Sequence, residues 1–335
     1  MRTVVGVLRG GPSSEYDVSL RSGAAVLAAL DADQYEPRDL FISRDGQWHL
    51  RGVPVTPEKA LCGVDVALNI IHGEYGEDGQ VQRVLDALGV PYSGSDAFTS
   101  TIAFNKQHTK ELVSKVGVKV AHGVVLEASD DLERTAFELF RTFPHPAIVK
   151  PSIGGSSVGI TLVDNYHALS GALARAFAVS PKVLVEEFIK GREATVGVID
   201  NFRGEKTYAL FPTEIIPPPK HSFFSAEAKY SGETQEICPG NFSREEKQRL
   251  TDAAKLVHEH LGLSHYSRSD FIVSKRGIYF LEVNSAAAVG LTNESIFPKA
   301  LLAVGSSLPE FLDHLVTLAR KPKKGYSTQR GGRVA

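Results

Sequence analysis

The stretch Arg268-Ser269-Asp270-Phe271-Ile272-Val273-Ser274-Lys275-Arg276-Gly277-Ile278-Tyr279-Phe280-Leu281-Glu282-Val283-Asn284 reads as two antiparallel strands joined at Ser274 to Gly277. A pairing centred on Arg276 sets Asp270 opposite Glu282 and Arg268 opposite Asn284. Side chains alternate across a strand, so these four polar groups share one face at one end. Opposed Cβ atoms lie about 5 Å apart. Two carboxylates and an amide oxygen that close suit Mg²⁺, which prefers oxygen ligands and binds substrate phosphates as well. The arginine beside them could stabilise developing negative charge. A surface hairpin with incidental charges has the same local pattern, and only its neighbours separate the two.

Upstream, Ala147 to Lys150 and Gly159 to Val163 read as strands flanking Pro151-Ser152-Ile153-Gly154-Gly155-Ser156-Ser157-Val158. Backbone N–H groups in a loop of glycines and serines can cradle phosphate oxygens. Lys150 closes the preceding strand and could reach the same oxygens. No Gly-Lys-Ser/Thr follows and no helix opens after the loop, so it is not a Walker A loop, and a flexible hairpin turn stays open as the alternative. Residues 1 to about 100 alternate strands (Thr3 to Leu8, Val66 to Ile71) with helical stretches (Val18 to Leu30, Gln80 to Leu88), implying a parallel α/β sheet. Its ligand edge lies at the strand C-termini, where the loops from Gly10 and from His72 emerge. The N-terminal Gly10-Gly11 turn lacks G-x-G-x-x-G, which excludes a dinucleotide fingerprint. A helix is expected over Lys106 to Val116, a strand over Val183 to Ile189, a break at Pro217 to Pro219 and a helix over Arg244 to Leu261.

With 335 residues, 42% apolar and 23% charged, the composition is that of a soluble chain of two or three compact units. No apolar run reaches the roughly 18 residues of a membrane helix. No leader can be read before Thr3, so export is not expected. Cys62 and Cys238 fit no metal spacing, and a reducing cytoplasm is the simplest setting. A net charge of −2 argues against a general nucleic-acid binder. The basic tail from Arg320 to Lys324 reads as a solvated terminus.

In order along the chain, Gly10-Gly11-Pro12-Ser13-Ser14-Glu15, His72-Gly73 with Gly76-Glu77-Asp78-Gly79, Lys150-Pro151-Ser152 with Gly155-Ser156-Ser157-Val158-Gly159, Glu227-Ala228-Lys229-Tyr230 with Cys238-Pro239, and the Asp270/Glu282/Asn284 hairpin resemble the D-alanine–D-alanine ligase family. The resemblance covers about residues 3 to 315. It implies an ATP-grasp fold, α/β with an α+β C-terminal part. The implied units are an N-terminal substrate domain (1–104), a central subdomain with the phosphate loop (105–182), a C-terminal subdomain with lid and metal hairpin (183–320) and a tail (321–335). It implies a cytoplasmic homodimer that joins two D-alanines for peptidoglycan synthesis, with ATP as substrate and two Mg²⁺ ions (or Mn²⁺) as cofactors. By position, Glu15, Ser156 and Tyr230 would hold the first D-alanine, with His72 lining its subsite. Lys106, Lys150 and Ser157 would hold ATP phosphates, Glu186, Glu187 and Ile189 the adenine, and Glu193 the ribose. Asp270, Glu282 and Asn284 would ligate metal, Arg268 and Gly290 would form an oxyanion hole, and Lys229 and Ser295 would bind the second carboxylate. Taken singly, Glu15 could merely cap a helix, His72 could be a loop histidine, Glu193 a strand-end charge and Tyr230 lid packing.

The chain departs from the family after Asn284. The usual Thr-x-Pro-Gly-hydrophobic-Thr loop is replaced by Ser285-Ala286-Ala287-Ala288-Val289-Gly290-Leu291-Thr292, two residues longer and without proline. In the lid, Ala226 stands at an often aromatic position. The longer loop keeps open a ligase with another second substrate, such as another D-amino acid or D-lactate, and an ATP-binding protein that has lost ligation.

Overall fold

A computed structural model describes residues 2–128, 131–154, 159–218 and 233–321. The first sheet is built from β1 (Thr3–Gly10), β2 (Tyr35–Ile42), β3 (Trp48–Leu50), β4 (Val53–Val55) and β5 (Val66–Asn69), in the order β4-β3-β2-β1-β5. Helices α1 (Tyr16–Ala29), α2 (Pro57–Leu61) and α3 (Gln80–Ala87) connect or follow these strands. β1 pairs in parallel with β2 and with β5, as the strand–turn–helix order requires, whereas β3 and β4 add an antiparallel edge. Val5, Val7, Val66 and Leu68 pack on one face against Val26 of α1. Leu8, Leu40, Ile42 and Ala67 pack on the other against Leu61, Val81 and Leu85 of α2 and α3. A sheet buried on both faces this way is the usual parallel architecture. Because β1 and β5 run the same way, the loops after Gly10 and Asn69 leave on one edge. Gly10 (φ +91°) permits that exit, since a Cβ there would meet the Ile42 carbonyl at 2.1 Å.

After α4 (Ala97–Ala103) and α5 (Lys106–Ser114), the second sheet contains β6 (Gly123–Glu127), β7 (Ala147–Pro151), β8 (Thr161–Val163) and β9 (Lys182–Glu187), ordered β6-β9-β7-β8. The helices α6 (Leu132–Thr142) and α7 (Tyr166–Phe177) cover the face formed by Ala147, Val149, Val183 and Val185. Alternation therefore sends Ile148, Lys150 and Glu186 to the uncovered face.

The third sheet, ordered β13-β12-β10-β14-β15 with β11 on β10, consists of β10 (Arg192–Phe202), β11 (Glu205–Ala209), β12 (Thr213–Ile216), β13 (Gln235–Ile237), β14 (Tyr266–Ser274) and β15 (Gly277–Ser285). Helix α8 (Arg244–His260) starts at a Ser243/Glu246 capping box and buries Leu250, Ala254 and Val257 against Ala194, Val196, Phe271 and Phe280. Glu193, Thr195, Arg268, Asp270 and Glu282 consequently occupy the face that looks across at the second sheet.

The β14–β15 hairpin forms, with Arg268 opposite Asn284 and Asp270 opposite Glu282 as expected, but the expected centre is corrected. The turn holds only Lys275 and Arg276, closed by the Ser274/Gly277 pair, which shifts the register by one residue. A bulge restores it: Asp270 pairs with Glu282 while Phe271 pairs with Phe280, leaving Leu281 extra. Without that bulge, a tight turn would set Leu281 opposite Asp270 and turn Glu282 away.

A 3₁₀ turn (Ala286–Ala288), α9 (Ile296–Ala303) and α10 (Leu308–Ala319) complete the described chain. Phe297 of α9 and Phe311 of α10 return to the core of Val5, Val7 and Leu68. Their rings and that of Tyr266 have centroids 5.1–5.5 Å apart, contacts worth about 0.5–1.5 kcal/mol each beyond area burial. The C-terminal helices thus fasten the third sheet to the first. Among the described residues, no helix is long and apolar enough to cross a membrane.

Candidate active site

The second and third sheets face each other across a cleft lined by Ile148, Lys150, Glu186, Ile189, Glu193 and Asp270. A second opening, between Ser13, Ser14 and Glu74 of the loops after β1 and β5 and Lys106 and Gly154, shares Lys150 with it. A small recess lined by Glu77, Lys106, Glu282 and Asn284 joins the two.

Helix α5 ties these spaces together. Asn105 caps it through the His108 N–H at 3.1 Å, and the Lys106 N–H bonds the Ser152 carbonyl at 3.0 Å. Lys106 therefore sits at a helix N-terminus, where the dipole disfavours a cation. Its ammonium donates to the Gly154 carbonyl and lies 3.1 Å from Glu282. One turn later, Lys110 lies 2.5 Å from one oxygen of Glu186, whose other oxygen is 2.6 Å from Lys150. Burial would raise the Glu186 carboxyl, but Lys110 and then Lys150 outweigh it and hold it low.

On the hairpin, Asp270 accepts from Arg268 Nε (3.2 Å) and Nη2 (3.3 Å), from Asn284 Nδ2 (2.9 Å) and from Thr195 Oγ1 (2.5 Å). Burial would raise Glu282, yet Lys106 and Lys150 hold it down to about 2. The donor set therefore fits a divalent cation: the Glu282 carboxylate kept ionised, the Asp270 carboxylate beside it, and an amide that gives its N–H to Asp270, leaving its carbonyl oxygen for a ligand.

At the edge of the first sheet, Glu15, His72 and Glu77 are buried and bring one side-chain donor atom each within 4.8 Å of one another. Glu15 occupies the N-cap position of α1 without a side-chain cap bond, so the capping alternative does not hold. His72 Nε2 is 3.2 Å from Ser22 Oγ, and Glu77 accepts the Gly73 N–H at 2.6 Å. Beyond the hairpin, Ser295 stands at the N-cap of α9 with its Oγ 2.8 Å from Thr292 Oγ1. A Cβ on Gly290 would lie 2.8 Å from that same Oγ. The departing loop buries Ala286, Ala287, Val289 and Leu291, so most of its apolar side chains are packed rather than displayed.

Two family models match, "D-ala D-ala ligase N-terminus" over residues 4–60 and 51–95, and "D-ala D-ala ligase C-terminus" over 112–317. The chain belongs to the D-alanine–D-alanine ligase family. It is 35% identical over 330 residues to the D-alanine–D-alanine ligase of Flavobacterium psychrophilum, covering 95% of this chain and 98% of the relative. It is 37% identical to that of Syntrophobacter fumaroxidans, over 95% and 98%. Among solved structures, it resembles the VanG D-Ala:D-Ser ligase of Enterococcus faecalis, with a TM-score of 0.81, 27% identity and coverage of 95% and 100%. The D-alanine–D-alanine ligase of Coxiella burnetii gives 0.80, 25%, and 95% and 94%. The ATP-grasp fold expected from the sequence is thereby shown.

Of the residues that the family resemblance singled out, Ser156, Ser157, Lys229 and Tyr230, with the tail after 321, lie outside the described residues. Lys106, Lys150, Arg268, Asp270, Glu282 and Asn284 gather around one junction. Glu193 lines the same cleft, while Ile189 packs with Ala121, Ile272 and Tyr279 at its floor. Glu186 turns its side chain to the two lysines, and Glu187 pairs with Arg276 at 2.8 Å, so neither carboxylate is spare for a ligand as the side chains stand. Sequence reading missed Lys110, Thr195 and the separate role of Glu77. Lys110 had a signal, its i+4 spacing from Lys106. Thr195 had none, because it meets Asp270 only through the β10–β14 pairing.

Burial, and then the charge of Glu15, push the Glu77 carboxyl up to about 8, against an ordinary value of 4.5. Between those values the folded chain of this ligase family member binds a proton that the unfolded chain has released. Stability contributed by Glu77 is therefore present below about pH 4.5 and declines as pH rises toward 8. Glu77→Gln keeps an acceptor for Gly73 and removes the titration. Melting curves across that window should fall less steeply for Glu77→Gln than for wild type; parallel curves would mean that Glu77 titrates normally.

Proposed function

We propose that this chain joins two D-alanines into D-alanyl-D-alanine, cleaving ATP to ADP and phosphate, as a supplier of peptidoglycan precursors. The observation that carries the reading is the junction at Lys106, where the opening shared with Lys150, the hairpin carboxylate of Glu282 and the recess toward Glu77 meet. The γ-phosphoryl group passes to a carboxylate oxygen of the first D-alanine, and ADP leaves. The amine of the second D-alanine then attacks the acyl carbon, loses a proton, and the tetrahedral intermediate expels phosphate.

Glu15 holds the ammonium of the first D-alanine, together with Ser156 and Tyr230, and His72 lines that subsite. Lys106, Lys150 and Ser157 hold the ATP phosphates. The segment from Glu186 to Ile189, including Glu187, carries the adenine, and Glu193 takes the ribose hydroxyls. Two Mg²⁺ ions, replaceable by Mn²⁺, would be held by Asp270, Glu282 and Asn284 and would neutralise phosphate charge during transfer. Arg268 and the Gly290 N–H face the developing oxyanion. Ser295 lies at the N-terminus of α9, an end suited to a carboxylate, and with Lys229 receives that of the second D-alanine. By the family resemblance, the segment 217–239 would serve as the lid that keeps water from the acyl phosphate. The same reading divides the chain into units at about 1–104, 105–182 and 183–320 and makes it a cytoplasmic homodimer.

The test is phosphate release by the purified protein with ATP and Mg²⁺, comparing D-alanine, L-alanine, D-alanine with D-lactate, and D-alanine with D-serine, with products identified by mass. Release that depends on D-alanine and yields the dipeptide supports the reading. Mixed products in preference to the dipeptide would favour an altered second substrate, which the lengthened loop beside Ser295 makes the specific alternative. Nucleotide binding without release would sink ligation. Gly290→Ala places a methyl against Ser295 Oγ, and overpacking of this kind costs about 1–3 kcal/mol. The KM of the second D-alanine should rise about tenfold while that of ATP holds; an unchanged value would separate Gly290 from this subsite.

A further inference from the structure

We propose that Lys110 is a positioning residue for ATP: it takes up half of the Glu186 carboxylate so that Lys150 keeps charge to offer the nucleotide phosphates. The proposal rests on the reading of Lys150 as a phosphate ligand and adds a residue that touches no substrate. The three side chains form a buried row, with Lys110 and Lys150 on opposite oxygens of Glu186 at 2.5 and 2.6 Å and side-chain exposures of 7%, 7% and 4%.

The row follows from the fold. Ile148 pairs with Glu186 and Lys150 with Leu184, so Lys150 and Glu186 are diagonal neighbours on the uncovered face of the second sheet. Lys110 enters from α5, one turn after Lys106, and the two lysines share a helix face. Lys106 reaches Glu282 in the third sheet, and Lys110 reaches Glu186 in the second. One helix thus supplies a cation to each wall of the cleft.

Burial, opposed by Glu186, pushes the Lys110 ammonium down to about 8. A buried cation is costly unless it is paired, and Glu186 is its one ion-pair partner among the described residues. Lys150 borders both the nucleotide cleft and the opening toward Ser13, whereas Lys110 borders neither. Had Glu186 only Lys150, its whole charge would draw that ammonium inward. With Lys110 in place, Glu186 is already neutralised on its far side, and Lys150 is held in register by one oxygen with N–H groups left for phosphate.

Steady-state kinetics of Lys110→Met and Lys110→Arg test this. For Lys110→Met the KM of ATP should rise about tenfold or more, with kcat and both D-alanine KM values within about threefold of wild type. Lys110→Arg, which keeps the charge, should recover most of that loss. An unchanged ATP KM overturns the proposal. So does a parallel rise in ATP and D-alanine KM with a lowered melting temperature, which would make Lys110 a support of the fold alone. If Lys110→Met does not fold, Lys110→Gln, which also removes the charge, decides: a several-fold rise confined to ATP supports the role, and wild-type kinetics overturn it. Calorimetric binding of ADP and Mg²⁺ to the same variants keeps the two readings apart. Absence of D-alanine-dependent turnover in wild type would sink ligation, while a weakened ADP affinity in Lys110→Met would still support the nucleotide role.

Discussion

Replacing Glu282 with Gln is expected to lower kcat by about three orders of magnitude, the upper range for removing one preorganised electrostatic contact. The side chain is held ionised by Lys106 and Lys150, and the change removes a charged oxygen ligand while keeping shape. Lys106 would lose its carboxylate partner at 3.1 Å, but the Gly154 carbonyl remains as an acceptor. Glu282 is about one-third exposed in the cleft, so the fold should hold, with a melting temperature within about 4 °C of wild type. Raising Mg²⁺ should recover part of the activity, because the lesion is in metal affinity. Turnover near wild type at ordinary Mg²⁺ would remove Glu282 from the metal site.

Arg268→Met carries the second-largest expected effect, a loss of about 10² to 10³ in kcat. Asp270 and Glu282 keep the guanidinium charged against the opposing effect of burial. Methionine fills similar space and offers no donor, so charge on the tetrahedral intermediate loses its partner. Asp270 retains Thr195 and Asn284, and the metal seat should survive. The Mg²⁺ dependence of Arg268→Met should therefore match wild type, unlike that of Glu282→Gln. A kcat within tenfold of wild type would exclude Arg268 from the oxyanion hole, and a shifted Mg²⁺ requirement would show that it acts through Asp270 instead.

Much of the site was legible because its residues are local to short motifs. Arg268, Asp270, Glu282 and Asn284 share one hairpin end, and the alternation of side chains alone places them on one face. Their register came out as expected although the turn is shorter than expected, since the Leu281 bulge compensates. Nothing in the sequence around Leu281 announces that bulge. The helices over 80–88, 106–116 and 244–261 were readable to within two residues, because their apolar spacing and caps are local signals. The antiparallel β3–β4 edge was not, as its strands are only three residues long.

By itself, the sequence determined the chemistry on offer and the order of its parts: the two loops at the edge of a parallel sheet, a lysine before a glycine-serine loop, and a hairpin with two carboxylates, an amide and an arginine. Tertiary structure decided which of these groups act together. Glu186 became the centre of a three-charge row only when α5 brought Lys110 to the sheet face that also carries Lys150. Asp270 acquired Thr195 from a strand 75 residues away, and the lengthened loop became buried packing around Gly290 once α9 and α10 closed on the first sheet. The physical reason is range: backbone periodicity and capping act over a few residues, whereas the burial and pairing of charges depend on surfaces the chain brings together only after it folds.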